Sequence, residues 1–424
     1  MRLLFSSVTA AGHLLPLVPL ADAAADAGHG VAFLAGADMA GYLGSRALLP
    51  AGPGPAEVLA ESQRRTGGGD ARHPGEAAVA HFTDTRIDLT YDEALDQARR
   101  FAPDLLVCEA LDFVGPLVAA ALDVPWAAHA ITAPMPAGLY EVMLARADAQ
   151  RTARGLRPRQ RVALVDPLPD VLRLPSDPPL PADRIATRPA AYTGDRIPAV
   201  APELPVERPL VLITGGTSVR EPDLLGGLAA SVAKEGFEVV VTVTPGTLPG
   251  SAGVHEIGFV PLARLLPALD AVVCTAGMGT VQAALAGGVP MVLRPVLADQ
   301  PWNAQRVASA GAGLVTDDPA EAGPAVRAVL TEPRYHAAAQ AAAAAIRSMP
   351  APEAALAGLL VKAGLSTQAS PPPRSSAPAE RAGPSAGSVR CSASVGPAGF
   401  QQGGAHGRGV PALERGVAPA ALLH

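Results

Sequence analysis

The stretch from Ala271 to Leu293 constrains the fold more than any other part of the chain. An apolar run, Ala271 to Cys274, stops at the glycine-rich turn Gly277-Met278-Gly279-Thr280. A helix-like segment, Val281 to Ala286, follows, and Gly287-Gly288 ends it before a second apolar run, Val289 to Leu293. Two such runs around a short helix pair as parallel strands buried on both faces. The stretch carries no charge and is long enough to cross a bilayer. Thr280, Gln282, Pro290 and the glycines inside it specify strand, helix and strand instead. A strand that opens through glycines onto a helix start leaves backbone N–H groups unpaired at the positive end of the helix dipole. That is a ready seat for phosphate, although the same turn can serve close packing alone. One strand later, a carboxylate beside an amide, Asp299-Gln300, suits the vicinal hydroxyls of a sugar.

The rest of the chain extends the α/β alternation. Arg2 to Val8 reads as a buried strand, Leu15 to Ala27 as a helix with Pro16 in its first turn and Gly28 beyond its end, and Gly30 to Leu34 as a second strand. Pro103 to Cys108, the apolar helix Val114 to Leu122 and the strand Ala127 to Ile131 follow. Between them, Gln63 to Arg72 shows no periodicity and is expected to be a mobile surface loop. A second set begins at Leu210 to Thr214 and continues through Val239 to Val243, Val254 to Ile257 and Ala271 to Cys274. Runs of this kind imply two doubly wound parallel sheets. Ligands of such sheets lie at the carboxyl ends of the strands, so the loops after Val8, Cys108, Ile213 and Cys274 are expected to face one cleft. The expected organisation is an N-terminal Rossmann-like domain at 1–195, a linker at 196–208, a second Rossmann-like domain at 209–365 and a disordered tail at 366–424. The tail is rich in Pro, Ser, Ala and Gly and lacks either hydrophobic period.

Composition narrows the function. The chain has 424 residues, 49% of them apolar, which is ample for more than one core. Its net charge is −6 with both signs interspersed, which argues against nucleic acid or an anionic membrane as partner. The three cysteines, Cys108, Cys274 and Cys391, stand far apart without a C-x-x-C, as expected in a reducing cytoplasm with no structural zinc. No D-x-D motif occurs. The first residues, Met1 to Ala25, are expected to be strand and helix rather than a secretion signal, since Gly12-His13 and Pro16 interrupt the apolar run.

Transfer of a group to a hydroxyl needs a base, and histidine, with an ordinary pKa near 6.5, suits that task at neutral pH. Gly12-His13 sits in the turn after the first strand, where it is a candidate base or a packing and capping residue. A carboxylate that orients such a histidine and stabilises its imidazolium makes it a better base. Glu109 is the first candidate, Asp112 the alternative, and Asp104 is read as structural. Gly216-Thr217-Ser218, after the first strand of the second set, is a candidate contact to diphosphate or ribose. Trp302 either stacks on the sugar or packs. His29, His129 and His255 are read as structural.

Together these motifs resemble the bacterial antibiotic glycosyltransferases of macrolide and enediyne type, relatives of the plant secondary-metabolite transferases with the GT-B fold. On the donor side the resemblance rests on Gly277-Met278-Gly279-Thr280, the A-x-G-V-P run ending at Pro290, the run Pro295 to Gln300, and Asn303 to Val307 with its trailing Gly311-Ala312-Gly313. On the other side it rests on Thr9 to Leu20 and on Pro103 to Glu109, which fits P-D-x-x-V-x-[D/E]. The resemblance implies two domains facing a cleft, His13 as catalytic base and Glu109 as its partner. It also implies donor contacts from Gly12, Gly216, Thr217, Ser218, Thr275, Gly277, Met278, Gly279, Thr280, Asp299 and Gln300. Where the family has histidine then glycine, this chain has Thr275-Ala276, so either Thr275 supplies a hydroxyl to the diphosphate or donor binding is weakened. The implied activity is inverting, metal-independent transfer of a deoxysugar from a nucleoside diphosphate to a hydroxyl of an apolar natural-product acceptor. No cofactor is implied beyond that co-substrate, and a homodimer or an activator protein remains open as a further partner. Two alternatives are carried: a nucleotide-sugar epimerase of similar fold, and a silent paralogue that activates a partner transferase.

Overall fold

Leu3, Leu4 and Phe5 are consecutive and all fully buried, which is possible only for a strand covered on both faces. They lie in β1 (Arg2–Ser6), inside a sheet that also holds β2 (Gly30–Ala35), β3 (Leu48–Pro50), β4 (Leu105–Glu109), β5 (Trp126–His129), β6 (Leu164–Asp166) and β7 (Arg184–Ala186). The order is β3-β2-β1-β4-β5-β6-β7, and every pairing is parallel. Leu3 and Phe5 enter one core and Leu4 the other, as the two-residue period of a strand requires. This computed structural model describes residues 1–194 and 209–365. The linker expected at 196–208 and the tail expected at 366–424 lie outside the described residues.

A second parallel sheet holds β8 (Leu210–Thr214), β9 (Glu238–Val241), β10 (Val254–Glu256), β11 (Ala271–Cys274), β12 (Met291–Leu293) and β13 (Gly313–Val315), in the order β10-β9-β8-β11-β12-β13. Each sheet therefore reverses its winding direction beside its first strand, between β1 and β4 in one and between β8 and β11 in the other. A crevice opens at such a switch point because the two following loops leave in opposite directions. The two-sheet architecture agrees with the expected fold class.

Several expectations need correction. The N-terminal helix expected at Leu15 to Ala27 begins earlier, as a turn at Ala11–Leu14, and continues through a 3₁₀ turn at Leu15–Leu17 into the helix Val18–Asp26. Prolines at 16 and 19, which remove two backbone donors, account for the tightened middle. Gln63 to Arg72 is not wholly loop: residues 63–65 close the helix Pro55–Arg65, and the Arg72 carbonyl accepts from Ala298 N–H at 2.9 Å. The proline-crowded segment after Asp166, which shows no clear period in the sequence, contains the edge strand β7. The last helix, Pro352–Lys362, was expected within the second domain. Its Ala355, Leu356, Leu359 and Leu360 are instead buried in the core beneath β1, against Leu17, Leu20 and Ala24 of the first domain. The Arg188 N–H bond to Pro350 O, 2.7 Å long, leads the chain into this return. Among the described residues, no helix is long and apolar enough to cross a membrane.

Candidate active site

The carboxyl ends of the two switch points face one cleft of ≈910 Å³. On the first side, β1 leads through Val8 and Thr9 into the turn that carries Gly12 and His13, while Glu109 is the last residue of the neighbouring β4. The two side chains therefore meet across adjacent strand ends. His13 Nδ1 lies 2.9 Å from Glu109 Oε1, with the Glu109 side chain fully buried and that of His13 20% exposed. Glu109 is fixed by backbone donors as well: Leu111 N–H to Oε2 at 2.7 Å and Val8 N–H to Oε1 at 3.4 Å. A carboxylate can only accept, so Nδ1 carries the hydrogen and Nε2 keeps its lone pair. Burial pulls the His13 pKa down, but the charge and hydrogen bond of Glu109, helped by Asp299, outweigh it. The ring is left above its ordinary 6.5. Phe82 stacks on the imidazole with ring centres 5.8 Å apart.

Asp112, the alternative orienting acid, is occupied elsewhere. It accepts from Arg86 Nη1 at 2.6 Å, from Ser6 Oγ and from Val114 N–H, and so forms a buried ion pair behind the strand ends. Asp104 caps the start of β1 by accepting from Arg2 N–H, 2.7 Å away. His129 gives its Nδ1 to the Ala130 carbonyl, 2.8 Å away, and His255 pairs with Glu238 at 2.8 Å, both as structural residues.

The opposite wall begins where β8 ends. A Cβ on Gly215 would stand 1.9 Å from the Val219 carbonyl oxygen, so only glycine lets the loop close there. Gly216, with φ of +65°, turns the chain outward, and its N–H donates to Thr214 Oγ1 at 3.0 Å. Gly216, Thr217 and Ser218 line the cleft. Thr217 Oγ1 lies 3.7 Å from where a Cβ on Gly12 would be, which measures how closely the two walls approach. Beside this loop Gly277 caps the helix Met278–Gly287, whose first backbone acceptor bond is Val281 N–H to Gly277 O. The N–H groups of Met278, Gly279 and Thr280 thus have no helical partner and open onto the cleft. Nothing stands within 4 Å of a Cβ built on Gly277 or Gly279.

Three expected donor contacts are engaged with neighbouring protein groups, and of these only Thr275 lies off the cleft. Thr275 is 2% exposed, does not line the cleft, and directs its hydroxyl to Gly215 O at 3.4 Å. It prolongs the buried pattern of β11 instead of reaching outward. Its neighbour Ala276 has φ of +64°, the left-handed region where the resembling family has glycine. Gln300 lines the cleft but is buried, with Oε1 accepting from Val296 and Leu297 N–H at 2.8 and 3.0 Å, so it also shapes the loop before Asp299. Asp299 lines the cleft, but its carboxylate accepts from Asn303 Nδ2 at 2.9 Å and from the Thr132 hydroxyl across the cleft. Trp302 also lines the cleft. Asn303 and Arg306 of the N-A-Q-R-V run are structural: Asn303 Nδ2 donates to Ala276 O at 3.1 Å, and Arg306 clamps Asp177 with two 2.6 Å bonds. Phe82 and Arg86 carried no signal in the sequence, because each meets its partner only through the fold.

Comparisons with known proteins bear on the family and the fold. Residues 228–361 match the family model for the C-terminal domain of erythromycin biosynthesis protein CIII-like proteins. The L-demethylnoviosyl transferase of Streptomyces niveus is 32% identical over 340 residues, covering 74% of this chain and 84% of that protein. The aclacinomycin-T 2-deoxy-L-fucose transferase of Streptomyces galilaeus is 29% identical over 75% of this chain and 85% of its own. Among solved structures, the glycosyltransferase SsfS6 of Streptomyces sp. SF2575, complexed with thymidine diphosphate, superposes with a TM-score of 0.71 at 29% identity. That match covers 84% of this chain and 98% of that one.

Proposed function

This chain belongs to the bacterial antibiotic glycosyltransferases, and from that premise we propose that it transfers a deoxysugar, with inversion and without metal, from thymidine diphosphate to a hydroxyl of an apolar natural-product acceptor. The observation that carries the mechanism is the 2.9 Å His13–Glu109 bond on one wall of the cleft, with the open helix start at Met278 on the other. In this mechanism the acceptor hydroxyl gives its proton to His13 Nε2 as its oxygen bonds to the anomeric carbon. Glu109 holds the tautomer and stabilises the imidazolium that forms. The bond from the anomeric carbon to the diphosphate oxygen breaks on the opposite side, which inverts the centre. The departing charge meets the N–H groups of Met278, Gly279 and Thr280, oriented in advance and backed by the helix dipole.

Thymidine diphosphate enters from the SsfS6 complex, and a deoxysugar from the name of the aclacinomycin-T relative. In this reading the N–H groups of Met278, Gly279 and Thr280 supply the positive potential that a metal ion would otherwise bring to the departing diphosphate. The base, its partner and the phosphate cradle all belong to one chain. A cytoplasmic location is part of this proposal, since isolated cysteines suit a reducing compartment.

The test is incubation with an α-linked thymidine diphosphate deoxysugar and a phenolic acceptor, followed by mass spectrometry and anomeric analysis of the product, with and without a chelator. A β-linked product formed at equal rate with chelator is expected. An α-linked product removes the single-displacement mechanism, and a chelator-sensitive rate removes metal independence.

A further inference from the structure

The wall beside His13 carries a second imidazole that the mechanism does not use. His81 begins a π-helical turn, His81–Thr85, set between the helices Glu76–Ala80 and Arg86–Phe101. Such wide turns redirect a side chain out of the regular helical rows. His81 lines the cleft, edge-on to Phe82 with ring centres 5.1 Å apart, so one aromatic ring separates it from His13. Three helices that pack against this turn, Pro55–Arg65, Glu76–Ala80 and Ala137–Ala153, contribute the apolar Leu59, Ala78, Leu139 and Met143 to the cleft lining.

Hydrogen-bond bookkeeping settles which nitrogen faces a ligand. His81 Nδ1 lies 3.0 Å from the hydroxyl of Ser62, a fully buried residue. That hydroxyl has one hydrogen, and it goes to the Val58 carbonyl at 2.8 Å. Ser62 can therefore only accept from His81, so Nδ1 is the protonated nitrogen and Nε2 is an acceptor with no protein partner among the described residues. Burial, with the charges of Arg86 and His13, pushes the His81 pKa down to about 4, so the ring stays neutral near pH 7. A neutral ring with a fixed lone pair is a poor competitor for the catalytic proton. It is well suited to hold a donor.

We propose that His81 is a positioning and specificity residue for the acceptor: its Nε2 accepts a hydrogen bond from a second hydroxyl of the acceptor, while the reacting hydroxyl lies at His13. The favoured acceptor is then an apolar ring system with two hydroxyls, one glycosylated and one held. This rests on the assignment of the His13 wall to the acceptor. Ser62 acts through His81 by holding its tautomer.

The experiment uses the full chain and two probes, 2,6-dihydroxyanthraquinone and its monomethyl ether, each measured for equilibrium binding and for turnover. The dihydroxy probe should bind about tenfold more tightly, the ratio expected for one net hydrogen bond in an apolar pocket. The ratio should collapse toward one in His81→Phe, recover in part in His81→Gln, whose amide oxygen can accept, and fall in Ser62→Ala. Nitrogen-15 spectra of histidine-labelled protein should show His81 neutral at pH 6 with hydrogen on Nδ1. An unchanged ratio in His81→Phe, or hydrogen on Nε2 in the free protein, overturns the proposal. Because the ratio is read from binding, failure of the transferase reading is distinguishable: neither probe then turns over, while the binding ratio stays intact.

Discussion

Replacing Glu109 by glutamine keeps shape and volume and alters only charge and one acceptor, so its consequences can be worked out from the bonds around it. Oε2 accepts from Leu111 N–H at 2.7 Å, and Oε1 from His13 Nδ1 at 2.9 Å and Val8 N–H at 3.4 Å. A glutamine must put its NH₂ on one side or the other. Facing Leu111, it sets donor against donor in a fully buried place, which costs about 1–3 kcal/mol. Facing His13, it can only donate, which forces the hydrogen onto Nε2 and removes the lone pair that takes the acceptor proton. We expect kcat/KM to fall by about 10²–10⁴ through loss of the base in its working tautomer. The pH profile adds an independent sign. Below its raised pKa His13 is protonated and cannot act as a base, so activity in the parent should rise along an acid limb centred above 6.5. Removing the Glu109 charge leaves burial dominant and moves that limb below 6.5. Initial rates from pH 5 to 9, with circular dichroism to confirm folding, provide the assay. A folded variant within fivefold of the parent and with its acid limb unmoved would refute the His13–Glu109 mechanism.

Removal of the base itself, His13→Ala, should cost about 10²–10⁴ in turnover while thymidine diphosphate binding by calorimetry stays within a few-fold; a tenfold weaker affinity would place His13 on the donor. Gly215→Ala should cost about 3 kcal/mol or more in denaturant unfolding, since its Cβ would lie 1.9 Å from a backbone oxygen that cannot rotate away; a normal midpoint would show that the loop can relax. Gly279→Ala meets open space and should keep the parent melting temperature, but its methyl enters the phosphate cradle, so diphosphate affinity should drop; unchanged affinity would put the diphosphate elsewhere. Leu359→Ala should destabilise by about 2–5 kcal/mol, because Leu359 is fully buried against the first domain; a loss under about 1 kcal/mol would mean that the last helix docks loosely.

The long, branched apolar runs were legible because strands buried on both faces leave no polar interruption: Leu210–Thr214 and Ala271–Cys274 run as expected. Strands of three residues, such as Leu48–Pro50, Arg184–Ala186 and Gly313–Val315, are too short to display a period and owe their conformation to the neighbour they pair with. His13 and Glu109 could be paired in advance through the motifs that carry them, and the structure brings them together because β1 and β4 are adjacent. Asp299 was legible as a cleft residue, but its bond to Thr132 was not, since 167 positions separate them. Thr275 shows the limit of motif transfer. A side chain at a motif position still obeys the burial of its own strand end, and a hydroxyl too short to reach outward bonds to the nearest carbonyl.

The return of the last helix to the first sheet bears on how enzymes of this kind can be recombined. An exchange of donor specificity by cutting once between residues 194 and 209 would pair the incoming half's final helix with a foreign groove formed by Leu17, Leu20 and Ala24. The unit that travels intact is interrupted: residues 210–348 carry the second sheet, whereas 352–362 belong with the first. A chimaera built with two junctions, the second near Pro350, keeps every apolar face with the partner it was selected against.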